Sequence, residues 1–469
     1  MLAFFKEQVS TNAMMLDLFA LIAITAVFMA TAGLALMDVG AARTRNVIDT
    51  VMQKFVAGGA CAAGFMIAGY GIWNWQFNSA FGVKNPLGQG ISDWWIGGQF
   101  VTKAPQDIDP TVLPNADQYL IFYGLFIVFA FFLGAAMQSA VLERMKVLPL
   151  TIISFITGAV LFPAFLYLLW GSASPLTLLG VHDDVGGFAV YLPLAAIGVT
   201  LAWQLGPRKG KFGLAAGSDA PGPRNVALIG VGLLFVLTNL VMFAIAGGYQ
   251  LPGAGYFGIA YTKSGMGLVT FNLICAMLGG GIGGALLSYR TKNPLWLIGG
   301  PFMGYVSVTT FNDVGKGWFE LLVGFTAVYV GYATAHLLHR LRIDEDKLGP
   351  LVLGPGIFGA IAGGFLTWGT RTGGILGIES GKYRFHLATI TPWWQLLGVV
   401  ICVVGSVTVT YLICQVLKRT TGLRVTDEEE AAGMDATYWS EVLIHDVPSD
   451  PPPSGSSEAD RADGEPATV

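Results

Sequence analysis

Residues 16–37 read LDLFALIAITAVFMATAGLALM, and the loop that follows, residues 41–46, reads AARTRN. The first stretch is apolar and long enough to cross the roughly 30 Å hydrocarbon core of a bilayer, which takes about 20 residues. Two arginines stand in the short loop directly after it. An apolar segment followed by a basic loop is typical of helical membrane proteins, and such segments recur as far as residue 417.

The same pattern divides most of the chain into candidate spans. Hydrophobic residues make up 54% of the 469 residues and charged residues only 12%, against about a quarter charged in soluble domains. The sequence therefore predicts an all-α polytopic membrane protein of about eleven transmembrane helices. The candidate spans are residues 16–37, 51–73, 119–141, 147–170, 185–204, 226–247, 265–288, 294–311, 317–338, 350–369 and 392–417.

The basic residues indicate an orientation, because they concentrate in alternate connections. One set of loops, together with the segment after the last span, carries Arg43, Arg45, Arg144, Lys146, Arg208, Lys209, Lys211, Arg224, Arg290, Lys292, Arg340, Arg342, Lys347, Lys418, Arg419 and Arg424. Loops rich in Lys and Arg face the cytoplasm. We expect a multi-pass protein of a cell (inner) membrane with its N-terminus outside and its C-terminus in the cytoplasm, which requires an odd number of spans.

The C-terminal end differs from the rest in composition. From Asp427 onward it holds twelve Asp or Glu and one basic residue, Arg461, and from about residue 447 it is rich in Pro, Ser and acidic residues. Segments of this kind cannot bury enough apolar surface to fold. We expect a transmembrane domain over residues 1–425 and an acidic cytoplasmic tail over 426–469, disordered from about 447.

Several classes of function have no support in the sequence. The sequence has no basic patch with interleaved aromatic residues, which would indicate a nucleic-acid partner. It also has no nucleophile–base pair, phosphate loop or metal-spaced cluster, which would indicate an enzyme or a cofactor. The four cysteines stand in apolar runs without disulfide-like spacing. His336 and His339 have ligand-like spacing, but beside Arg340 and Arg342 they mark a basic helix end.

Four phrases resemble those of the ammonium transporter (Amt/Mep/Rh) family and follow one another in that family's order. They are GLAL at 33–36 with RTRNV at 43–47, LERMK at 142–146, DDVGG at 183–187, and GLRV at 422–425 with DEEE at 427–430 and GMD at 433–435. The resemblance implies two five-helix halves of inverted topology plus one extra helix. It also implies a pore within each protomer, a homotrimer and a cytoplasmic C-terminal motif that can meet a regulatory protein.

The resemblance also assigns residues to the pore of each protomer. Trp170 matches the tryptophan of the family's outer ammonium site, with an interfacial belt residue as the alternative. Phe129 matches the first phenylalanine gate. Asp183 matches the buried carboxylate that supports the outer site through hydrogen bonds, and Asp184 would take that role if the register slipped by one.

Other pore positions depart from the family pattern. Tyr191 and Val352 stand where the family has its two pore histidines. Gly248 stands where the outer site has a serine, and Ala244 stands at the second phenylalanine gate, although the adjacent Phe243 could partly fill that space. Tyrosine titrates near 10 and valine not at all, so we expect no group at the centre of the pore that takes up a proton at neutral pH.

Two hypotheses of different classes follow. The chain is an ammonium transporter or channel that moves ammonium or ammonia, with Tyr191 as a hydrogen-bonding waypoint. Alternatively, it is a non-transporting homologue that acts as a sensor or regulatory membrane subunit through the motif at 422–435. Uptake of ammonium distinguishes the two.

Overall fold

The computed structural model describes residues 11–102, 116–213, 221–251 and 255–439. The predicted disorder from about residue 447 lies outside these described residues. The helices are α1 (Thr11–Ala41), α2 (Val47–Ala80), α3 (Pro86–Trp94), α4 (Gln99–Thr102), α5 (Ala116–Gln138), α6 (Val147–Ile156), α7 (Phe162–Leu169), α8 (Leu192–Leu205), α9 (Val226–Ala246), α10 (Met266–Thr291), α11 (Leu295–Val308), α12 (Gly317–Arg340), α13 (Gly354–Leu366), α14 (Pro392–Thr420), α15 (Asp427–Ala432) and α16 (Met434–Tyr438). Two short antiparallel hairpins pair β1 (Tyr249–Leu251) with β2 (Gly255–Phe257) and β3 (Arg371–Thr372) with β4 (Ala388–Thr389).

The described helices confirm the prediction of a polytopic all-α membrane protein. Ten helical stretches are long and apolar enough to cross a membrane. The remaining predicted span, 294–311, contains only the 14-residue helix α11, which is about 21 Å long at 1.5 Å per residue. The turns at 309–313 that continue it are buried, and non-helical backbone at membrane depth is tolerated where protein surrounds it.

Helix contacts repeat between the two halves of the chain. In the first half α2 packs against α5, α6 and α7, and in the second half α10 packs against α11 and α12. The first helices of the two halves, α1 and α9, pack along each other, whereas α14 packs on α8 and α13. These contacts fit two five-helix units and one additional helix.

The crossing of α1 and α9 depends on two glycines in a reciprocal contact. A Cβ atom on Gly33 would come within 2.5 Å of the carbonyl oxygen of Gly232, and one on Gly232 within 2.5 Å of the carbonyl oxygen of Gly33. Small residues let membrane helices approach this closely. A two-sided contact of this kind is expected where a pseudo-twofold axis relates two helices.

Two spans begin with a π-helical turn, and each turn contains a predicted pore residue. Gly187–Tyr191 leads into α8 and Gly349–Leu353 leads into α13. Tyr191 ends the first turn, and Val352 is the fourth residue of the second. π-helical turns are rare and are frequent at functional sites. The two halves therefore place Tyr191 and Val352 at corresponding points of their fifth helices.

A buried carboxylate precedes each of these turns. Asp183 accepts the backbone N–H groups of residues 187–189 at 2.6–2.9 Å, and Glu345 accepts those of residues 347–349 at 2.5–3.0 Å. N–H groups at a helix start have no partner within the helix. Burial raises the pKa of both carboxyls to about 7, although these hydrogen bonds favour the charged form.

Basic loops meet at one end of the bundle, which we call the positive end. Glu143 pairs with Arg43 at 3.1 Å and with Arg208 at 3.5 Å, and Arg208 pairs with Asp344 at 2.8 Å. Burial opposes the charged form of Glu143, but Arg208 and Arg43 hold the pKa of its carboxyl below its usual value. These ion pairs join the loops that follow α1, α5, α8 and α12.

The segment after α14 folds back onto the positive end. Asp435 accepts the backbone N–H groups of Ile48 and Asp49 at 3.2 and 2.7 Å, at the start of α2. Glu430 pairs with Arg43 at 3.4 Å. The part of the predicted acidic tail that the structure describes, up to residue 439, is thus folded into two short helices against the loops.

Candidate functional site

A cavity with five aromatic rings in its wall lies among α5, α7 and α9, and we call it the aromatic cavity. Phe126, Phe129, Trp170 and Phe243 line it together with Val190, among other apolar residues. Its volume is about 10 Å³, which is close to the least space that holds one water molecule. The cavity therefore fits a single small molecule.

Trp170 lies in the protein interior, at the wall of this cavity. It is 6% exposed, and its indole N–H donates to the carbonyl oxygen of Asp184 at 3.0 Å. Its own carbonyl oxygen accepts the indole N–H of Trp73 at 2.7 Å, and its ring lies edge-on to Phe126 with centroids 5.5 Å apart. These contacts fix the indole against the cavity, whereas a belt residue would face lipid headgroups.

Phe129 and Phe243 form a close pair of rings at the cavity. Their centroids are 4.2 Å apart at an interplanar angle of 45°. Ala244, at the aligned gate position, is buried but does not line the cavity. The neighbouring residue Phe243 thus provides the second ring that the sequence lacks at position 244.

Gly248 does not line the aromatic cavity, but the adjacent Gly247 does. A Cβ atom on Gly248 would overlap the hydroxyl group of Tyr256 on β2. That hydroxyl donates to the carbonyl oxygen of Ile245 at 2.9 Å. A tyrosine hydroxyl therefore occupies the space beside Gly248 where the family resemblance leads one to expect a serine, and no local sequence signal predicts this substitution.

A second cavity, the central cavity, has a volume of about 40 Å³ and is lined by both Tyr191 and Val352. These side chains are 3% and 2% exposed. The Tyr191 hydroxyl lies 3.5 Å from that of Tyr305, at the outer limit of hydrogen bonding. Lys347 lines the same cavity, and burial lowers the pKa of its ammonium group to about 7. A group that takes up a proton near neutral pH therefore lies at the wall of this cavity, contrary to the prediction.

Lys347 belongs to a buried ionic cluster at the inner side of the central cavity. Its ammonium group pairs with Asp38, whose other oxygen pairs with Lys54. Ser139 donates to that same oxygen at 2.5 Å, and Lys54 donates to Ser139 and to the carbonyl oxygen of Ala135 at 3.1 and 3.0 Å. Sequence reasoning missed this cluster, although an ionisable residue inside a span such as Lys54 is a functional-site signal.

A larger cavity of about 380 Å³, the vestibule, continues from the central cavity at the positive end. The two share Met37, Ser139, Leu233, Lys347 and Leu351 in their walls. The vestibule wall also contains three basic and two acidic side chains. Arg144 and Arg208 pair with Asp344, and Lys211 pairs with Asp346. The vestibule is therefore a wide cavity with a mostly apolar wall, and these charged side chains in it neutralise one another.

A layer of buried polar side chains holds the loops near the aromatic cavity. His182 lies 2.8 Å from Asp313 through Nε2 and 2.9 Å from Thr372 through Nδ1. Asp313 also accepts from Thr262. Burial and the nearby Asp313 raise the pKa of Asp184. These contacts join the connections that contain Thr262, Asp313 and Thr372 to the backbone between Trp170 and Tyr191. We assign this polar layer a structural role.

Curated relatives match this chain over most of its length. The ammonium transporter Amt1 of Methanocaldococcus jannaschii is 25% identical over 87% of this chain and 92% of its own. Amt2 of the same organism is 27% identical over 92% and 91%, and the ammonium transporter of Bacillus subtilis is 25% identical over 90% and 96%.

Solved structures show the same fold. A structure titled Sensor Amt Protein aligns with a TM-score of 0.71 and 19% identity, covering 92% of this chain and 99% of its own. Mep2 of Saccharomyces cerevisiae aligns with a TM-score of 0.66 and 17% identity over 88% of each chain. A model of one family, described as the Ammonium Transporter Family, matches residues 18–442. A match across nearly the whole chain, on this fold, shows that the protein belongs to the Ammonium Transporter Family.

Proposed function

We propose that this protein moves ammonium nitrogen across a membrane, as ammonium or ammonia, through a pore in each protomer. The observation that carries the proposal is the position of Tyr191 and Val352. Both line one small cavity that lies between the aromatic cavity and the vestibule. Curated relatives that are named ammonium transporters support the same substrate.

The aromatic cavity has the chemistry for recruiting a small cation. Ring faces attract ammonium groups electrostatically, and the rings of Phe126, Trp170 and Phe243 surround a space of one-molecule size. The carbonyl oxygen of Asp184, which already accepts the Trp170 indole N–H, adds negative potential nearby. Asp183 supports this wall indirectly, because it fixes the backbone at residues 187–189.

The central cavity has the chemistry for passing a small, weakly hydrated solute. Its lining is apolar except for Ser139, Tyr191 and Lys347. A hydrated ion would lose water there without gaining equivalent ligands, which costs several kcal/mol. Val190 lines the aromatic cavity and its neighbour Tyr191 lines the central one, so successive residues of one π-helical turn contribute to the two cavities.

The positive-inside rule gives the orientation of this pathway. The positive end, with the vestibule, faces the cytoplasm of a cell (inner) membrane, and the aromatic cavity opens toward the outside. Residues 1–425 form the transmembrane domain of a homotrimer, and residues 426–469 form a cytoplasmic tail that a regulatory protein can reach. Support for the tail assignment comes from Glu430 and Asp435, which hold its first part on the positive end.

Growth and uptake in a bacterial host that lacks its own ammonium transporters test the proposal. We expect the protein to restore growth on limiting ammonium and saturable uptake of methylammonium, compared with the same host without it. Protein that is folded and present in the membrane but restores neither would contradict the proposal and favour the sensor hypothesis.

Replacing both Tyr191 and Val352 by histidine should change the pH dependence of uptake. Histidines titrate near 6.5, so their protonation would place positive charge in the central cavity. We expect uptake by the double variant to fall as the pH drops through about 6.5, relative to the parent. The matched control replaces Tyr411 and Val404, which are exposed on α14, and should leave the profile unchanged. If the double variant transports with the parent's rate and pH profile, these two positions do not line the path.

A further inference from the structure

Buried oxygen atoms without hydrogen-bond partners lie where the turns after α11 meet α10 and the start of α12. Glu320 is 0% exposed, and among the described residues neither of its carboxylate oxygens has a partner. The amide oxygens of Asn272 and Asn312, which are also 0% exposed, have none either. The large majority of buried side-chain polar atoms in proteins are hydrogen-bonded, so this group of acceptors needs a physical explanation.

The backbone at Gly315 brings Asn272 and Glu320 together. The side-chain nitrogen of Asn272 donates to the carbonyl oxygens of Asn312 and Gly315 at 2.6 and 3.2 Å. These two bonds identify which end of the amide is the nitrogen and leave its oxygen unpaired. A Cβ atom on Gly315 would overlap Oε1 of Glu320. A carboxylate, an amide oxygen and two backbone carbonyl oxygens therefore lie around one turn of the chain.

No basic side chain balances the carboxylate of Glu320 in the part of the chain that the structure describes. Lys316, one helical turn before it, is exposed, and its ammonium group lies over the ring of Phe319 at 5.5 Å from the centroid. Glu320 stands in the first turn of α12, where the helix dipole favours a negative charge. A charged Glu320 therefore needs a counter-ion from outside the protein.

The other carboxylates near Glu320 add negative charge. Asp183 is held by three backbone N–H groups, and Asp313 is held by His182. Asp184 has one unpaired oxygen. Burial, together with Asp313, Asp183 and Glu320, raises the pKa of Asp184 well above its usual value. A proton on Asp184 and a cation at Glu320 would balance the two carboxyls that have unpaired oxygens.

We infer that Glu320, the amide oxygen of Asn272 and the carbonyl oxygens of Asn312 and Gly315 bind a monovalent alkali cation, Na⁺. Oxygen ligands suit hard cations, and non-helical carbonyls beside a helix end coordinate Na⁺ in membrane transporters. Each of these carbonyl oxygens has a second lone pair for the ion. The ion would join α10 and α12 to the turns after α11.

Two observations limit the kind of ion and the role of the site. Among the described residues no group of three or more His, Cys, Asp or Glu side chains can hold a metal ion, which disfavours a divalent ion with several charged ligands. Glu320 and Asn272 line neither the aromatic cavity nor the central cavity nor the vestibule. The site is therefore separate from the proposed pathway and does not depend on the proposed function.

Purified protein in detergent tests the site, with the ionic strength held constant by N-methyl-D-glucamine chloride. Binding of radiolabelled Na⁺ at equilibrium should saturate at about one ion per protomer. Saturating Na⁺ should also raise the apparent Tm by about 2 °C or more, because a ligand that binds only the folded state stabilises it.

Glu320→Gln keeps the size of the side chain and removes its charge. We expect this variant to lose both the saturable binding of Na⁺ and the Na⁺-dependent rise in Tm. Glu379→Gln is the matched control, because it makes the same change at an exposed glutamate in the connection between α13 and α14, and it should keep both.

Three results would overturn the inference. Parent protein that shows no saturable Na⁺ binding and the same Tm in Na⁺ as in N-methyl-D-glucamine would do so without any variant. Na⁺ binding that persists in Glu320→Gln would show that the ion lies elsewhere. Stabilisation by Ca²⁺ but not by Na⁺ would show that the site takes a divalent ion. Each of these outcomes leaves ammonium uptake untouched, so the proposed function is judged separately.

Discussion

Replacing Val352 by phenylalanine should reduce methylammonium uptake and growth on limiting ammonium to the level of a host without the protein. Val352 lies 2% exposed in the wall of a cavity of about 40 Å³. Protein interiors are close-packed and yield little to a larger side chain. The ring would enter the cavity, since a buried π-helical turn and α13 fix the backbone on the other side.

A control variant distinguishes a blocked central cavity from general damage to the protein. Val400→Phe makes the same chemical change at a position that is 45% exposed on α14, and it should leave uptake unchanged. The two variants are compared at equal amounts in the membrane and with equal elution of the purified protein. Uptake by Val352→Phe at the parent's rate would show that the solute does not pass through the central cavity.

Replacing Arg144 by alanine should lower the free energy of unfolding by about 3 kcal/mol or more, the range found when one partner of a buried ion pair is removed. Arg144 is 1% exposed and pairs with the Asp344 carboxylate at 2.5 Å. It also donates to the carbonyl oxygens of Ala140 and Asp344 at 2.8 and 2.6 Å. Its loss leaves these acceptors buried, although Arg208 continues to face Asp344.

The pH at which this effect holds follows from the pKa of Asp344. Burial opposes its charged form, but Arg208 and Arg144 hold its pKa far below the usual value. A carboxyl with a depressed pKa stabilises the folded state above the unfolded-state pKa of about 4 and loses that contribution as the pH falls further. The difference between parent and Arg144→Ala should therefore be complete at pH 7 and shrink only in strong acid.

Thermal unfolding of the purified protein in detergent measures the effect of Arg144→Ala. We expect an apparent Tm several degrees below that of the parent. Arg290→Ala removes an exposed arginine from the end of α10 and should change stability by no more than about 0.5 kcal/mol. An Arg144→Ala protein that unfolds at the parent's temperature would show that the buried pair contributes nothing net to stability.

Most of the predicted pore residues line one of the two small cavities, and Gly248 does not. Trp170, Phe129, Tyr191 and Val352 line the aromatic or central cavity, and their roles in conduction stay predictions. Gly248 lies beside the aromatic cavity rather than in its wall. These positions could be predicted only through the family resemblance, which assigns each of them to the pore, and residue spacing alone does not single them out.

The residues that sequence reasoning missed depend on contacts between distant segments. Lys347, Asp38 and Lys54 come from three separate parts of the chain and meet only through the packing of α1, α2 and the turn before α13. Tyr256 reaches the space beside Gly248 from a hairpin. Neither contact leaves a periodic pattern in the sequence, because each joins segments that meet only after the helices have packed.

The sequence by itself determined that this is a multi-spanning helical membrane protein, because apolar length and the distribution of basic residues are local properties that the bilayer selects directly. Only the tertiary structure decided that Phe243 faces Phe129, with ring centroids 4.2 Å apart. It also decided that a lysine borders the cavity of Tyr191 and Val352. The physical reason is that the contents of a pore depend on helix rotation, on breaks such as the π-helical turns and on ion pairs across long separations, all of which packing sets after the spans have formed.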